Sequence, residues 1–373
     1  MNPRIAALVS VATLFVSFLT RPSYAEVDTR PIDAVRNKTV LDAGDLQAID
    51  EFVASAVRDI VRTKDFSLVA KARGVLVGKK GTQPQYAQQF SESCRRHITA
   101  GMEQGAANLP EDRKFRVRLN LLILADGLQD PALAELGLAY LGSPNKALQY
   151  CALRLVTNAA TVEKIKQGNW PIGGQIVSLL QQLVRVSGKR MESSSLILGP
   201  VAEFAAKIGT PEGQAILIDV ADLRMAHYAG GRVEDGQVDT TILKLLFAKI
   251  AASGNGNTGQ LAGSFAQLYS YVIQRLAKAN PPLSDPRKQQ WISVIVEVEE
   301  KCIAPVLDGY QTPLRKAIEK SDMTALLAEH DTLLGSSTKP GQLVAKWQFD
   351  YGRGPDGKPR TWPNGLPNPP ATK

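Results

Sequence analysis

The sequence has few cysteine, histidine and aromatic residues. Its 373 residues include 3 Cys and 3 His, and aromatic side chains make up 6% of the chain. So few cysteines exclude a small disulfide-stapled scaffold, and so few histidines leave little material for catalysis by imidazole. A core without many aromatic residues has to be built from Leu, Ile, Val and Ala, a mixture that suits packing between helices better than a β-sandwich.

The excess of positive charge is small for the length of the chain. The formal net charge is +8, and Arg4 and Arg21 lie in an N-terminal segment that we expect to be removed. Subtracting these two from the 44 basic residues leaves 42 against 36 acidic residues, a net charge of +6. So dilute an excess is compatible with attraction to an anionic envelope surface and does not indicate nucleic-acid binding.

Long hydrophobic runs are scarce, and the one that matters lies near the N-terminus. An apolar or small stretch from Ile5 to Leu19 follows Arg4 and precedes a polar segment that closes on Ser23 and Ala25. These features are typical of a secretory signal peptide, and the run is shorter than the roughly 20 residues that span a bilayer. The sequence therefore predicts a signal peptide at residues 1–25, export to the periplasm or the extracellular space, and no transmembrane segment after cleavage.

Helical patterns dominate the chain after residue 40. Apolar residues recur at the 3.6-residue period, as in the series Leu46, Ile49, Val53, Val57 and Ile60. A capping side chain followed by proline marks five predicted helix starts: Asp130-Pro131, Ser143-Pro144, Thr210-Pro211, Asp285-Pro286 and Thr312-Pro313. We expect an all-α fold, either an irregular helical array or an α-solenoid-like bundle, with an extended C-terminal tail.

The tail differs in composition from the helical body, which we place at residues 26–338 with a break near 229–240. Between residues 339 and 373, 12 of 35 residues are Gly or Pro. Trp347, Phe349 and Tyr351 alternate with polar residues, which predicts a short extended strand, and a turn is predicted at residues 355–357. These three aromatic side chains are expected either to pack on the helical body or to bind a partner.

Residues 110–160 resemble HEAT or armadillo-type helical repeats. The segments LADGLQDPALAELGLAYL and LGSPNKALQYCALRLVTN each join a short Asp-Pro or Ser-Pro loop to a helix of small and branched apolar residues. The interval from Asp130 to Ser143 is 13 residues, shorter than the family's repeat. The resemblance implies a concave surface that binds a protein or peptide and carries out no chemistry.

Motifs that would indicate chemistry are weak in this sequence. Gly254, Gly256 and Gly259 match G-x-G-x-x-G, but a helical pattern precedes them where a dinucleotide site needs a strand. His97 is interpreted as a core residue, and His330, between Glu329 and Asp331, as a surface residue. We therefore predict no catalytic, cofactor-binding or metal-binding residue.

An acidic set gathers near the predicted break: Asp219, Asp222, Glu234, Asp235 and Asp239. These residues could offer oxygen ligands to a cation, or they could be the ordinary polar residues of a loop. A second hypothesis for the function is an envelope hydrolase whose acidic residues line a cleft between the two helical halves. A third hypothesis is a purely structural protein of the cell surface.

The most suggestive cluster of charge is the segment EDRKFRVRLN. Arg113 and Arg116 share one face of a predicted helix, and Lys114 and Arg118 share another. A solvated helix face and a partner-binding ridge are both compatible with this spacing. The favoured function is an exported binding or scaffolding protein without catalysis, which contacts a protein or peptide partner through these four basic residues and through Trp347, Phe349 and Tyr351.

Overall fold

A computed structural model describes residues 28–190, 195–233, 236–253, 258–278, 284–354 and 356–367, without the side chains of residues 186–190. Within these ranges the chain forms 17 helices and no strand, so the predicted all-α fold is confirmed. No helix in the same ranges is both long and apolar enough to cross a membrane. The predicted signal peptide lies outside the described residues.

Contacts between Cα atoms divide the chain into two compact units, one ending at Leu128 and one beginning at Gln129. The first unit contains α1 (Arg30–Val35), α2 (Ala43–Arg62), α3 (Phe66–Gly78), α4 (Pro84–Ala100), a π-helical segment (Gly101–Gly105) and α5 (Glu111–Leu128). Helix α2 packs against the other four helices. Its buried stripe is the one that the 3.6-residue period predicts, except that Leu46 is 39% exposed.

The second unit contains the other twelve helices. In chain order they are α6 (Ala134–Leu138), α7 (Lys146–Val156), α8 (Ala159–Lys166), α9 (Pro171–Arg190), α10 (Ser195–Ile208), α11 (Pro211–Ala229), α12 (Gln237–Ala252), α13 (Gly259–Ala277), α14 (Asp285–Val298), α15 (Pro313–Glu319), α16 (Met323–Leu334) and α17 (Gln342–Trp347). A 3-10 turn, Pro131–Leu133, precedes α6, and a π-helical segment, Glu299–Ile303, follows α14.

Helix α13 is the central element of the second unit. It packs against α11, α12, α14, α16 and α17, and 14 of its 19 residues are buried. A helix covered on several sides needs apolar residues around most of its circumference, and Leu261, Phe265, Leu268 and Val272 provide part of that surface. The remaining buried positions include the polar side chains of Ser264, Gln267, Ser270 and Gln274.

The predicted helix starts are confirmed in position more often than in capping chemistry. Thr210 caps α11 as expected, its Oγ1 accepting the Gly213 N–H at 3.2 Å. Helix α7 begins two residues later than predicted, because Asn145 and not Ser143 accepts the N–H groups of its first turn.

Helix α15 is capped by a residue that is distant in the sequence. Pro313 starts the helix as predicted, but Thr312 is left-handed and makes no side-chain cap. The buried carboxylate of Glu299 instead accepts the N–H groups of Leu314 and Arg315, at 2.9 and 2.8 Å. A long-range carboxylate therefore satisfies donors that the sequence assigned to a local hydroxyl.

The break predicted near residues 229–240 lies inside the second unit, between α11 and α12. A fully buried ion pair joins these two helices: Arg224 Nε lies 2.5 Å from Asp239 Oδ1, and Arg224 Nη2 lies 3.0 Å from Asp239 Oδ2. Tyr228 also donates to Asp239 Oδ2, at 2.6 Å. The two helices on either side of this connection therefore share one core.

The strand predicted for the aromatic tail is wrong. Trp347 ends α17, and the left-handed conformation of Gln348 turns the chain away from the helix axis. Phe349 is buried, and the hydroxyl of Tyr351 donates to the carbonyl oxygen of Leu334 at 2.8 Å. An alternating pattern arose here from a helix end followed by a turn, so its period carried no information about a strand.

Candidate functional site

A cleft of about 1040 Å³ opens on the surface of the first unit. Its walls come from α2, from the end of α4 with the π-helical segment, and from the start of α5. The cleft is large for a small-molecule pocket, for which about 300–1,000 Å³ is usual, and has room for several residues of a peptide.

Five basic side chains line this cleft, which we call the basic cleft: Arg58, Arg62, Lys64, Arg113 and Arg116. Asp112 is the one carboxylate among its described lining residues. Arg58, Arg62, Lys64 and Arg116 are exposed, and none of these four forms an ion pair with a carboxylate in the described part of the chain. The basic cleft is therefore a concentrated positive surface on a chain with a modest net charge.

The structure brings together two of the four predicted ridge residues at the basic cleft. Arg113 donates from Nη2 to the carbonyl oxygens of Val61 and Thr63, at 2.7 and 2.9 Å, and so satisfies carbonyl groups at the end of α2. The guanidinium of Arg116 lies over the ring of Phe66, 5.4 Å from its centroid. Arg113 therefore has a structural role, whereas Arg116 presents its charge on an exposed aromatic ring.

The other two predicted residues, Lys114 and Arg118, are not among the residues that line the basic cleft. Lys114 forms an ion pair with Glu111 one turn earlier, with Nζ 2.6 Å from Oε1. The four basic residues of the segment therefore do not form one binding surface, although their division into two faces follows the helical spacing.

A π-helical segment forms part of the basic cleft, where Gly101 and Gly105 face α2. A Cβ built on Gly101 would lie 3.1 Å from side-chain atoms of Val57 and Leu121, and one on Gly105 would lie 3.3 Å from Val61. Larger residues at these positions would push the segment away from α2. Single-turn π-helices occur often at functional sites, because they displace the backbone from the regular helical path.

His97 also lines the basic cleft and is not the core residue that the sequence suggested. Its Nε2 lies 2.7 Å from Asp50 Oδ1, and Arg96 binds the same oxygen. Burial acts to raise the pKa of Asp50, but hydrogen bonds from His97 and Arg96 outweigh it and lower the pKa below its usual value. The Asp50 carboxylate therefore stays ionised beside the basic cleft.

The aromatic residues of the tail lie in the second unit and pack on its core. The Trp347 ring contacts Phe265 edge-on at 5.4 Å, and the rings of Phe349 and Tyr351 lie 5.1 Å apart. Of the two expected roles, packing on the body and presentation to a partner, the geometry corresponds to packing.

The acidic set predicted near the break does not converge. Asp239 is neutralised by Arg224, and Asp219 contacts Gln181 and Arg185, at 3.2 and 3.4 Å. Asp222 lines a separate pocket of about 710 Å³ together with Asp350. Glu234 and Asp235 lie outside the described residues, and no group of three or more potential metal ligands is found among those described.

Asp222 is the member of the acidic set with perturbed chemistry. Desolvation by the surrounding residues and, secondarily, the charge of Asp219 raise the pKa of Asp222 above its usual value, although its side chain reaches the surface. The hydrolase hypothesis requires two carboxyl groups in one pocket, and Asp222 and Asp350 line the same pocket.

His330 is buried and is not the surface residue that its acidic neighbours suggested. Its Nε2 lies 2.8 Å from the Oγ of Ser270, and its Nδ1 lies 2.8 Å from Asp331 Oδ1. Burial lowers the pKa of His330. Although the three groups follow the order of a Ser-His-Asp triad, Ser270 is 0% exposed and its Oγ accepts a hydrogen bond from Gln274 Nε2 at 2.8 Å. We interpret these contacts as a structural hydrogen-bond chain.

Comparison of the chain with family models, curated proteins and solved structures finds no match. The resemblance of residues 110–160 to helical repeats therefore stays a prediction. That segment also spans the boundary between the two units at Leu128 and Gln129.

Sequence reasoning missed the α2 side of the basic cleft. Arg58 and Arg62 are four residues apart on the exposed face of α2, and Lys64 follows the helix end. Their spacing in the sequence indicates a basic face of a helix. Their approach to Arg116, more than 50 residues away, depends on how α2 packs against α5.

Proposed function

We propose that this protein is an exported binding or scaffolding protein, and that its basic cleft binds an anionic segment of a protein partner. The observation that supports this proposal is the convergence of Arg58, Arg62, Lys64 and Arg116 on one concave surface, where none of the four forms an ion pair with a carboxylate of the described residues. Positive charges that form no ion pair remain available to a ligand, and a concave wall reduces their exposure to screening salt.

The size and lining of the basic cleft favour a peptide over a small ion. Leu109, Pro110 and Val61 supply apolar surface to the lining of the same cleft. Acidic side chains of an extended partner segment could pair with the guanidinium groups while the intervening residues cover this apolar surface.

A fluorescence anisotropy titration tests the proposal with a labelled Asp/Glu-rich peptide and an uncharged peptide of equal length. We expect binding of the acidic peptide alone, weakened by added salt. The variant Arg58→Glu, Arg62→Glu, Arg116→Glu is expected to bind about tenfold or more weakly, because three attractive contacts become repulsive. Arg113 is left unchanged because it holds the end of α2.

A matched control carries the same change of net charge at exposed positions outside the basic cleft: Arg95→Glu, Arg287→Glu and Lys320→Glu. This control is expected to bind the acidic peptide within about twofold of the parent protein, since only local charge should matter at physiological salt. Equal loss in both variants would show that net charge alone attracts the peptide and would contradict a specific cleft.

Export is part of the same proposal and rests on the pattern of residues 1–25. Fractionation of cells that make the full chain, followed by N-terminal sequencing, is expected to find a mature protein that begins at Glu26. A cytoplasmic protein with an intact N-terminus would refute this part without affecting the basic cleft.

Hydrolysis is a second candidate function, supported by the pocket that Asp222 and Asp350 share. The raised pKa of Asp222 suits a proton donor, and Asp350 could act as the base. A panel of chromogenic ester, peptide and glycoside substrates tests this candidate. Turnover that is lost in Asp222→Asn would support it, and no turnover of any substrate would count against it.

A further inference from the structure

The central helix of the second unit carries a buried polar stripe. Ser264, Gln267, Ser270 and Gln274 follow one another at intervals of three, three and four residues, so they lie along one face of α13. All four are buried. Burying polar side chains on a core helix is unfavourable unless each finds a hydrogen-bond partner, so each of these four side chains needs such a partner.

The main chain of the C-terminal segment supplies the partners of the two glutamines. Gln267 accepts the Asn364 N–H at 2.7 Å and donates to the Asn364 carbonyl oxygen at 3.3 Å. Gln274 donates to the same carbonyl oxygen at 3.1 Å and accepts the Leu366 N–H at 2.7 Å. Each glutamine uses both its carbonyl oxygen and its amide nitrogen, and neither contact involves a side chain of the tail.

The segment that is held has the properties of a bound peptide. Residues 363–367 adopt no helix, Pro363 is buried, and Asn364 and Gly365 are exposed. Prolines at 363 and 367 restrict the unbound segment and cannot donate to a sheet. A peptide that proline already restricts loses less conformational entropy on binding, and the glutamines provide the main-chain partners that a neighbouring strand would otherwise give.

Gln274, one of the two glutamines, is also held in place by other side chains of the core. Gln274 Nε2 donates to Ser270 Oγ at 2.8 Å as well as to the tail. Ser270 contacts His330, and His330 contacts Asp331. This chain orients the Gln274 amide before any peptide arrives, and such preorganisation is typical of binding sites.

We propose that the face of α13 formed by Gln267 and Gln274 is a peptide-binding site that recognises main-chain N–H and C=O groups. Residues 361–367 of the same chain are its resident ligand, and an extended, proline-containing segment of another polypeptide takes their place when they are released. Because recognition depends on N–H and C=O groups, the site selects for an extended conformation bounded by proline more than for particular side chains.

The test uses the full chain with a protease recognition sequence inserted in the exposed turn between Asp356 and Gly357. After cleavage, we expect the C-terminal fragment to remain bound and to co-elute with the body on size exclusion. A fluorescent synthetic peptide of residues 357–373 should then exchange with it. The variant Gln274→Ala should release the fragment with about tenfold weaker affinity, because a buried clamp loses its hydrogen bonds.

N-methylated peptides distinguish recognition of main-chain groups from nonspecific binding. Methylation of the Leu366 nitrogen removes a donor that Gln274 accepts, whereas the Gly365 nitrogen makes no hydrogen bond with the described residues. We expect the peptide methylated at Leu366 to compete about tenfold more weakly than the parent peptide, and the one methylated at Gly365 to compete as well as the parent.

Three results would overturn the proposal. They are immediate loss of the fragment from the cleaved parent protein, equal competition by the two methylated peptides, and a fragment that never exchanges with added peptide. The last result would show that the tail is a permanent part of the fold. Circular dichroism of Gln274→Ala before cleavage, with Gln260→Ala at an exposed α13 position as its matched control, separates loss of the site from loss of the fold.

Discussion

The buried ion pair between α11 and α12 offers the sharpest test of how the second unit is held together. Arg224 is 2% exposed and Asp239 is 0% exposed, and two N–H donors of the guanidinium reach the two carboxylate oxygens. The perturbation is Arg224→Met, which keeps an unbranched apolar stem and removes the guanidinium group with its charge. Asp239 then keeps the Tyr228 hydroxyl as a donor but loses its counter-ion.

The expected magnitude follows from this geometry. A carboxylate without exposure cannot recover the lost contacts from water, so removing one partner of such a pair costs about 3–5 kcal/mol of the free energy of unfolding. Removing both charges with Arg224→Met and Asp239→Val also removes the buried Asp239 carboxylate that the single variant leaves without the guanidinium. The double variant should therefore regain at least about 2 kcal/mol of the single-variant loss.

Urea unfolding followed by tryptophan fluorescence measures these changes in the free energy of unfolding, and the signal comes from the second unit. All four tryptophans lie after residue 129, and the indole N–H of Trp291 donates to the Tyr228 hydroxyl at 3.2 Å, next to the pair. Circular dichroism at 222 nm reports the whole chain and serves as the comparison. A loss below about 1 kcal/mol for Arg224→Met, or strictly additive single effects, would refute the reasoning.

Three further predictions concern the same unit. Burial lowers the pKa of His330 below its usual value, so the unfolded chain takes up a proton more readily than the folded state does. The free energy of unfolding should therefore fall as pH decreases from about 7.5 to about 5.5, and His330→Gln should reduce that slope in urea titrations; an unchanged slope would contradict this. A Cβ on Gly341 would lie 2.3 Å from the backbone of α16, whereas one on Gly365 would meet nothing within 4 Å. Gly341→Ala should therefore lower the thermal midpoint and cost about 2 kcal/mol or more, with Gly365→Ala as the neutral control, and equal midpoints would argue against the close approach. Burial raises the pKa of the Cys302 thiol to about 11, so mass spectrometry should find Cys151 alkylated first and Cys302 only after unfolding; early modification of Cys302 would disprove its burial.

Local patterns predicted much of the secondary structure because a helix is built from contacts three and four residues apart. The apolar series in α2 and the Thr210-Pro211 start of α11 needed no knowledge of the rest of the chain. The same local logic divided Arg113 and Arg116 from Lys114 and Arg118, and the structure keeps that division. It was wrong at Trp347, Phe349 and Tyr351, where a two-residue alternation crosses a helix end.

The partners of polar side chains could not be predicted from such patterns. His330 was assigned to the surface because its sequence neighbours are acidic, yet its ring contacts Ser270, 60 residues earlier. Glu299 caps a helix that starts 14 residues later, where a local threonine seemed sufficient. In each case the nearest sequence neighbour was a poor guide, because a buried polar group binds whichever partner the packing brings to it.

The sequence by itself therefore determined that this chain is helical, where several of its helices begin and which faces many of them bury, since these follow from the 3.6-residue period and from the backbone donors that each helix start leaves unpaired. Only the tertiary structure decided that α2 and α5 bring their arginines to one cleft. It also decided that the tail lies on α13, through contacts that span 90 and more residues. Those outcomes depend on the packing of whole helices, for which a single sequence carries no local signal.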